Sequence, residues 1–157
     1  METSTDDLDQ PFVLAFRDAP GFDATAERNR KAITDMLESL HAGDGEAMWR
    51  VLDPDVTFHE ASCLPYGGSH RGLEATKAAY ARLCDCYSAM HSVMEAVLAS
   101  RDLVILYQTI TFTAKATGQS GTLPVCELFR FRAGKVIEWR ANYFDACMVA
   151  QALRGDS

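Results

Sequence analysis

Apolar residues in the first half of the chain recur with the 3.6-residue period of a helix. In "TAERNRKAITDMLESLHAG", Ile33, Met36 and Leu40 share one helical face, Thr25 is the expected N-cap and Gly43 the expected end. "DGEAMWRVL" predicts a second, short helix that "DPD" ends, because the residue before a proline avoids helical backbone. A third helix is predicted over "LEATKAAYARLCDCYSAM".

The second half has the two-residue period of β-strands. Strands are predicted at "HSVMEAVLAS", "DLVILYQTITFTA", "TLPVCELFRFR" and "KVIEWRANYFD", with a closing helix at "ACMVAQAL". An earlier strand covers residues 56–60 and leads into a glycine-rich loop, "ASCLPYGGSHRG". This order predicts an α+β fold: a cone-shaped, curved antiparallel sheet, with three helices on the N-terminal side packed over an apolar pocket.

Composition indicates how the chain is divided and which classes of binding partner it excludes. Residues 1–22 are predicted to form a flexible acidic arm, and residues 23–157 one domain. The net charge of −7 argues against a nucleic-acid partner, and no apolar run is long enough to span a membrane. With no signal-peptide pattern and five cysteines without framework spacing, we expect reduced thiols, a cytoplasmic location and no metal site.

Two glutamates break the apolar pattern of their strands. In "DVTFHEAS", Glu60 lies on the same side as Val56 and Phe58. In "TLPVCELFRF", Glu127 follows Leu123 and Val125 on the most hydrophobic strand face of the chain. A lone carboxylate on an apolar face is costly unless it is satisfied or has a function.

A pair of carboxyl groups in one dry cavity suits acid/base chemistry. Burial raises a carboxyl pKa, and a second carboxylate raises it further, so one group can act as a base while the other stays protonated. Such a pair moves a proton beside a carbonyl without a metal or cofactor. Two structural alternatives stay open: Glu60 at a solvated strand end, and Glu127 in an ion pair with an arginine such as Arg140.

Longer stretches resemble a known superfamily. "SLHAGDGEAMWRVLDPDVTFHEASCLPYGG" with "HRGLEATKAAYARL" is similar to the first half of nuclear transport factor 2-like proteins, and "ELFRFRAGKVIEWRANYFD" is similar to their last two strands. That superfamily includes ketosteroid isomerases, SnoaL-like polyketide cyclases, limonene-epoxide hydrolases and proteins that only bind or assemble. The resemblance implies the cone fold and a homodimer formed through the outer face of the sheet.

The resemblance to ketosteroid isomerases implies roles for both glutamates. Glu60 stands at the position of the proton-shuttling carboxylate, and Glu127 at that of the protonated acid of the oxyanion hole. Met36 stands where those enzymes have a tyrosine, so Tyr107 or Tyr143 is the candidate to supply a phenol.

Two other branches of the superfamily bear on the last strands. Epoxide hydrolysis is not expected, since Gln108, Ile110 and Asn142 replace the residues that activate water in that branch. The SnoaL-like cyclases imply Asp145 as an acid/base residue, although it also suits the N-cap of the closing helix.

These observations favour a cofactor-independent isomerase or aldol-type cyclase acting on a small, largely apolar carbonyl compound. Its predicted catalytic residues are Glu60, Glu127 and Asp145. The alternative is a non-catalytic binding or assembly module with the same fold. Side chains predicted to contact the ligand are Gln108, Asn142, Tyr66, Tyr107, Met36, Phe58, Trp139 and Phe144.

Overall fold

The structure, a computed structural model, describes residues 23–155. The predicted arm, residues 1–22, lies outside the described residues, so the division of the chain stays a prediction. The helices are α1 (Ala24–His41), α2 (Ala47–Val51), α3 (Leu73–Asp85) and α4 (Ala146–Arg154). The strands are β1 (Leu52–Glu60), β2 (Gly68–Arg71), β3 (Tyr87–Ser100), β4 (Leu103–Ala114), β5 (Ser120–Arg132) and β6 (Lys135–Tyr143).

The six strands form one curved, open sheet in the order β2-β1-β6-β5-β4-β3, which confirms the α+β prediction. One pairing differs from the all-antiparallel expectation: β1 runs parallel to β6, with Phe58 beside Trp139. The predicted glycine-rich loop also contains a short strand, β2, which pairs with the end of β1. Bulges, such as the one between Met94 and Ala96, bend the strands around the interior.

The helices form where the apolar period predicts them, with shifted ends. Asp23, not Thr25, caps α1, because its Oδ1 accepts the Ala26 N–H at 2.8 Å. The third helix was predicted through Met90, but it ends at Asp85. The residues beyond it join β3, where Met90 pairs with Phe112 of β4. Pairing with a neighbouring strand there overrides local helical spacing.

Two clusters of buried side chains flank the concave face of the sheet. The first joins α1 to the sheet through residues such as Ile33, Phe58 and Trp139. The second joins the β1–β2 loop and α4 to the other end of the sheet, through Tyr66, Phe112 and Val149. Polar side chains that point inward between these clusters are therefore held by packing on both sides.

The outer face of β3 and β4 carries exposed apolar side chains. Val93, Leu98 and Tyr107 are 51%, 61% and 36% exposed, and their pairing across the strands puts them opposite the interior.

Within residues 23–155, none of the helices combines the length and apolar character needed to cross a bilayer.

Candidate functional site

A cavity of about 170 Å³ lies between α1, α3 and the concave face of the sheet. Its wall is mostly apolar, and the polar side chains that reach it include Glu60 from β1, Gln108 from β4, Glu127 from β5 and Tyr143 from β6. Met90 and Met94 of the edge strand β3 line the cavity and are 44% and 45% exposed, so they mark its open side. An apolar pocket with a few converging polar groups is the usual form of a small-molecule site.

Glu127 is held on both carboxyl oxygens. Gln108 donates its Nε2–H to Oε1 at 2.6 Å, and Trp139 donates its Nε1–H to Oε2 at 2.7 Å. Burial raises the pKa of Glu127, while these two donors act in the opposite direction. The carboxyl group is thus fixed in position in an environment that favours its neutral form.

The alternative partner of Glu127, Arg140, lies on the other face of the sheet. Glu127 pairs with Ala141, and Arg140 is one residue away, so alternation turns its side chain outward. There the Arg140 Nη2 contacts Glu138 Oε1 at 2.7 Å. The ion pair considered between Glu127 and Arg140 is therefore wrong.

Glu60 ends β1 on the same inward face as the buried Val56 and Phe58, and its side chain is only 8% exposed. Among residues 23–155, its Oε2 is the buried side-chain polar atom that has no hydrogen-bond partner. Burial raises the pKa of Glu60 to about 8, the charge of Glu127 adds to the rise, and the Tyr143 hydroxyl and the Ala61 N–H oppose it. The solvated strand end that we considered for Glu60 is thus wrong.

Three tyrosines form a hydrogen-bonded group beside Glu60. The Tyr66 hydroxyl lies 2.6 Å from the Tyr87 hydroxyl and 3.4 Å from that of Tyr143. Burial raises the pKa of all three phenols, that of Tyr87 to about 12, so they stay neutral and able to donate. Since Tyr143 also reaches the cavity, hydroxyl contacts connect Glu60 through Tyr143 and Tyr66 to Tyr87.

Sequence reasoning named Tyr143 only as a possible phenol and missed Tyr87. Counting alternate residues from Trp139 places Ala141 and Tyr143 inside, and this count would have selected Tyr143 over Asn142. Tyr87 carried no such signal, because its segment was predicted as the end of a helix.

Five of the residues predicted to contact a ligand are inside, with different roles, and Gln108 among them reaches the cavity from β4. Met36 and Trp139 line the cavity. Phe58 is fully buried and its ring centroid lies 4.3 Å from that of Trp139, so it supports the wall without forming it. Tyr66, also a predicted contact, is buried behind Tyr143 and acts on the cavity only through hydroxyl groups.

The structure does not bring the other predicted residues to the cavity. Tyr107 and Asn142 have the outward parity of their strands, and Asn142 donates to the Cys126 carbonyl at 3.3 Å. Phe144 is 83% exposed. Asp145 is exposed, and its Oδ1 accepts the Met148 N–H at 2.9 Å, so it caps α4 as the structural alternative predicted.

The cone-shaped α+β fold with an internal pocket matches the class of nuclear transport factor 2-like proteins. Within that class, the profile of the SnoaL-like domain matches residues 33–139, more than half of the chain. The chain belongs to the SnoaL-like domain family, which confirms the predicted superfamily and branch. No curated protein matches the chain significantly.

Solved structures share the fold over most of their length. Bal32a, from a soil-derived mobile gene cassette, has a TM-score of 0.72 and 25% identity, covering 83% of this chain and 99% of its own. A protein from Jannaschia sp. named after SnoaL-like polyketide cyclases has a TM-score of 0.71 and 22% identity, with coverages of 87% and 98%. An NTF2-like protein of unknown function from Burkholderia pseudomallei has a TM-score of 0.71 and 22% identity, with coverages of 80% and 97%. The family and the cavity together support a role in handling a small molecule.

Proposed function

We propose that the protein is a cofactor-independent acid/base enzyme that moves a proton on a small, largely apolar carbonyl compound, by isomerisation or aldol-type cyclisation. The observation that carries this proposal is the pair Glu60 and Glu127. Both carboxyl groups line one apolar cavity, both have raised pKa values, and neither is hydrogen-bonded to an arginine among the described residues. Perturbed carboxyl pairs in clefts are typical of acid/base sites.

The size of the cavity limits the ligand. An enclosed volume of about 170 Å³ is close to that of an engineered apolar cavity that binds benzene, which is on the order of 150 Å³. The enclosed part therefore suits one ring, and the exposed Met90 and Met94 side chains leave room for a second ring or a short chain at the open side.

Glu60 is the proposed base. With a pKa of about 8, about one carboxyl in ten is ionised at pH 7, enough to accept a proton from the carbon next to a carbonyl. The C–H electron pair then forms an enolate. In isomerisation, Glu60 returns the proton to another carbon; in cyclisation, the enolate carbon attacks a second carbonyl, and the resulting alkoxide takes the proton.

Glu127 is the proposed oxyanion donor. Burial raises its pKa and so favours the protonated form, and in the proposed mechanism the O–H of that form donates to the developing enolate oxygen. Gln108 and Trp139 hold the carboxyl through their N–H groups and act as positioning residues.

The test uses 3-cyclohexen-1-one, a one-ring ketone whose conversion to 2-cyclohexen-1-one needs only a base, an oxyanion donor and no second reactant. Formation of the conjugated enone is followed by its ultraviolet absorbance. We expect the wild-type protein to accelerate it and Glu60→Gln to remove most of the acceleration. The matched control is Glu74→Gln, the same change at an exposed site on α3.

The alternative, a binding module without catalysis, uses the same cavity. It predicts that the ketone binds, seen as perturbed NMR signals of cavity residues, while the wild-type protein and Glu60→Gln convert it equally slowly. That result would overturn the proposed chemistry.

We also keep two predictions from the sequence. A homodimer formed through the outer face of the sheet is supported by the exposed Val93, Leu98 and Tyr107. The cytoplasmic location stays a prediction.

A further inference from the structure

A second pocket reaches Glu60 from the other side of the sheet. Strands β1 and β6 pair in parallel as far as His59 and Arg140. Beyond that point β1 stays with β2, whereas β6 stays with β5, up to Tyr143. The two strands separate, and the gap contains a pocket of about 260 Å³.

This pocket is polar where the first cavity is apolar. Its wall on the outer face of the sheet is formed by His59, Arg140 and Asn142. Ala146 of α4 closes one side. Glu60, Ala141 and Tyr143 line both spaces, so these three residues form the partition between them. Among the residues that the structure describes, Glu60 is therefore the acidic residue that borders both the apolar cavity and the polar pocket.

The chemistry of the pocket suits water. Its volume admits several water molecules, and its wall offers donors and acceptors to hold them. Arg140 forms an ion pair with Glu138, which offsets its charge. Burial and the nearby Arg140 lower the pKa of His59, which favours the neutral imidazole. The lining therefore has no strong excess of positive charge that would favour an anion over water. A carboxyl group with an unsatisfied oxygen gains free energy from any water that reaches it, and this pocket is the adjoining source.

We propose that the polar pocket is the solvent inlet of the site: it holds water that exchanges the Glu60 proton with bulk solvent while a bound ligand fills the apolar cavity and its open side. The inference rests on the proposed role of Glu60 as the base. It implies that a proton taken from a ligand is replaced from solvent before it is returned. The titratable or charged groups around Glu60 are Tyr143, which contacts it through its hydroxyl, Glu127 and Tyr87, which interact with it electrostatically, and His59 and Arg140, which line the inlet.

The first test needs no turnover. Ala146→Leu fills the inlet from α4, and Ala78→Leu, on the exposed face of α3, is the matched control. Glutamates labelled with ¹³C at the carboxyl carbon are titrated by NMR, with Glu60→Gln assigning the signal. We expect Ala146→Leu to move the Glu60 midpoint upward, because the carboxylate loses hydration, and Ala78→Leu to leave it in place. An unchanged midpoint in Ala146→Leu would overturn the inlet.

The second test follows the proton. In D₂O, the wild-type protein should place deuterium on the γ-carbon of 2-cyclohexen-1-one formed from 3-cyclohexen-1-one. With the inlet filled, we expect the deuterated fraction to fall ~3-fold or more relative to Ala78→Leu, since a closed site returns the original proton. Asn142→Phe fills the inlet from β6 and serves if Ala146→Leu does not fold. A wild-type product without deuterium would also overturn the inlet, whereas absence of any conversion would overturn the proposed enzyme and leave the titration to decide on the inlet.

Discussion

Glu60 and Glu127 face the same cavity, but the surroundings of their two carboxyl groups differ. Glu127 has a hydrogen-bond donor on each oxygen, whereas Glu60 has an enclosed oxygen without a partner. Both pKa values are raised by burial, yet only Glu60 also adjoins a polar pocket. The comparison shows how two identical side chains can be assigned different tasks. A carboxyl fixed by two donors is suited to holding an oxyanion in place, and one with a free oxygen and a nearby source of water is suited to exchanging protons.

The largest expected effect separates the two glutamates by the same substitution. Glu60→Gln removes the base and should lower the rate of 3-cyclohexen-1-one isomerisation by about 10²–10⁴-fold. Removing an oxyanion donor typically lowers the rate by ~10²–10³-fold. Glu127→Gln keeps an N–H that can donate to the oxyanion, so we expect a smaller fall in the isomerisation rate for this variant. If Glu127→Gln is the more damaging change, the two roles are reversed.

The next effect is on stability. The pKa of Glu60 is about 8 when folded, against an ordinary value of 4.5, so the folded chain binds more protons between these values. The stabilisation is fully present below pH 4.5 and is lost as the pH rises to about 8, a change of a few kcal/mol. Urea unfolding from pH 5 to 9 should show a steeper loss for the wild-type protein than for Glu60→Gln. Equal slopes would mean that Glu60 titrates normally in the folded chain.

A smaller effect concerns Tyr143. Its hydroxyl favours the charged form of Glu60, so Tyr143→Phe should raise the pKa of Glu60 above about 8. NMR titration of the labelled carboxyl carbon measures the change. Tyr87→Phe removes a phenol that contacts Tyr66, so it serves as the control, with a weaker effect on Glu60. A downward shift in Tyr143→Phe would mean that the phenol does not stabilise the carboxylate.

The smallest effect tests a residue outside the comparison. Asp145→Ala removes the cap of α4 and should cost about 1 kcal/mol of unfolding free energy, similar to Asp23→Ala at the cap of α1. Neither variant should change the isomerisation rate, because neither side chain lines the cavity. A large rate loss confined to Asp145→Ala would return that residue to the site.

The inward positions of the site were predictable because alternation is a local rule. Parity alone selected Glu60 and Glu127, and it holds along β4 for Gln108. The same rule, applied from Trp139, excludes Asn142 from the cavity, whereas the family resemblance implied Asp145, which caps α4 instead. Local spacing is therefore the better guide to orientation, and the resemblance the better guide to the fold.

What the sequence did not reveal depends on contacts between distant segments. Tyr66, Tyr87 and Tyr143 meet from a loop and two strands, and no local pattern relates them. The parallel pairing of β1 with β6 is also a long-range choice, and the polar pocket exists only because that pairing stops after His59.

The parallel pairing of β1 with β6 also bears on how the molecule acquires its site. Phe58 and Trp139 are neighbours in the sheet but about 80 residues apart along the chain, and contacts of such separation carry a loop-closure cost that slows folding. Glu60 therefore has no cavity to face until the last strand has docked. The raised pKa of Glu60 is therefore a property of the assembled sheet, which segments far apart in the chain complete together.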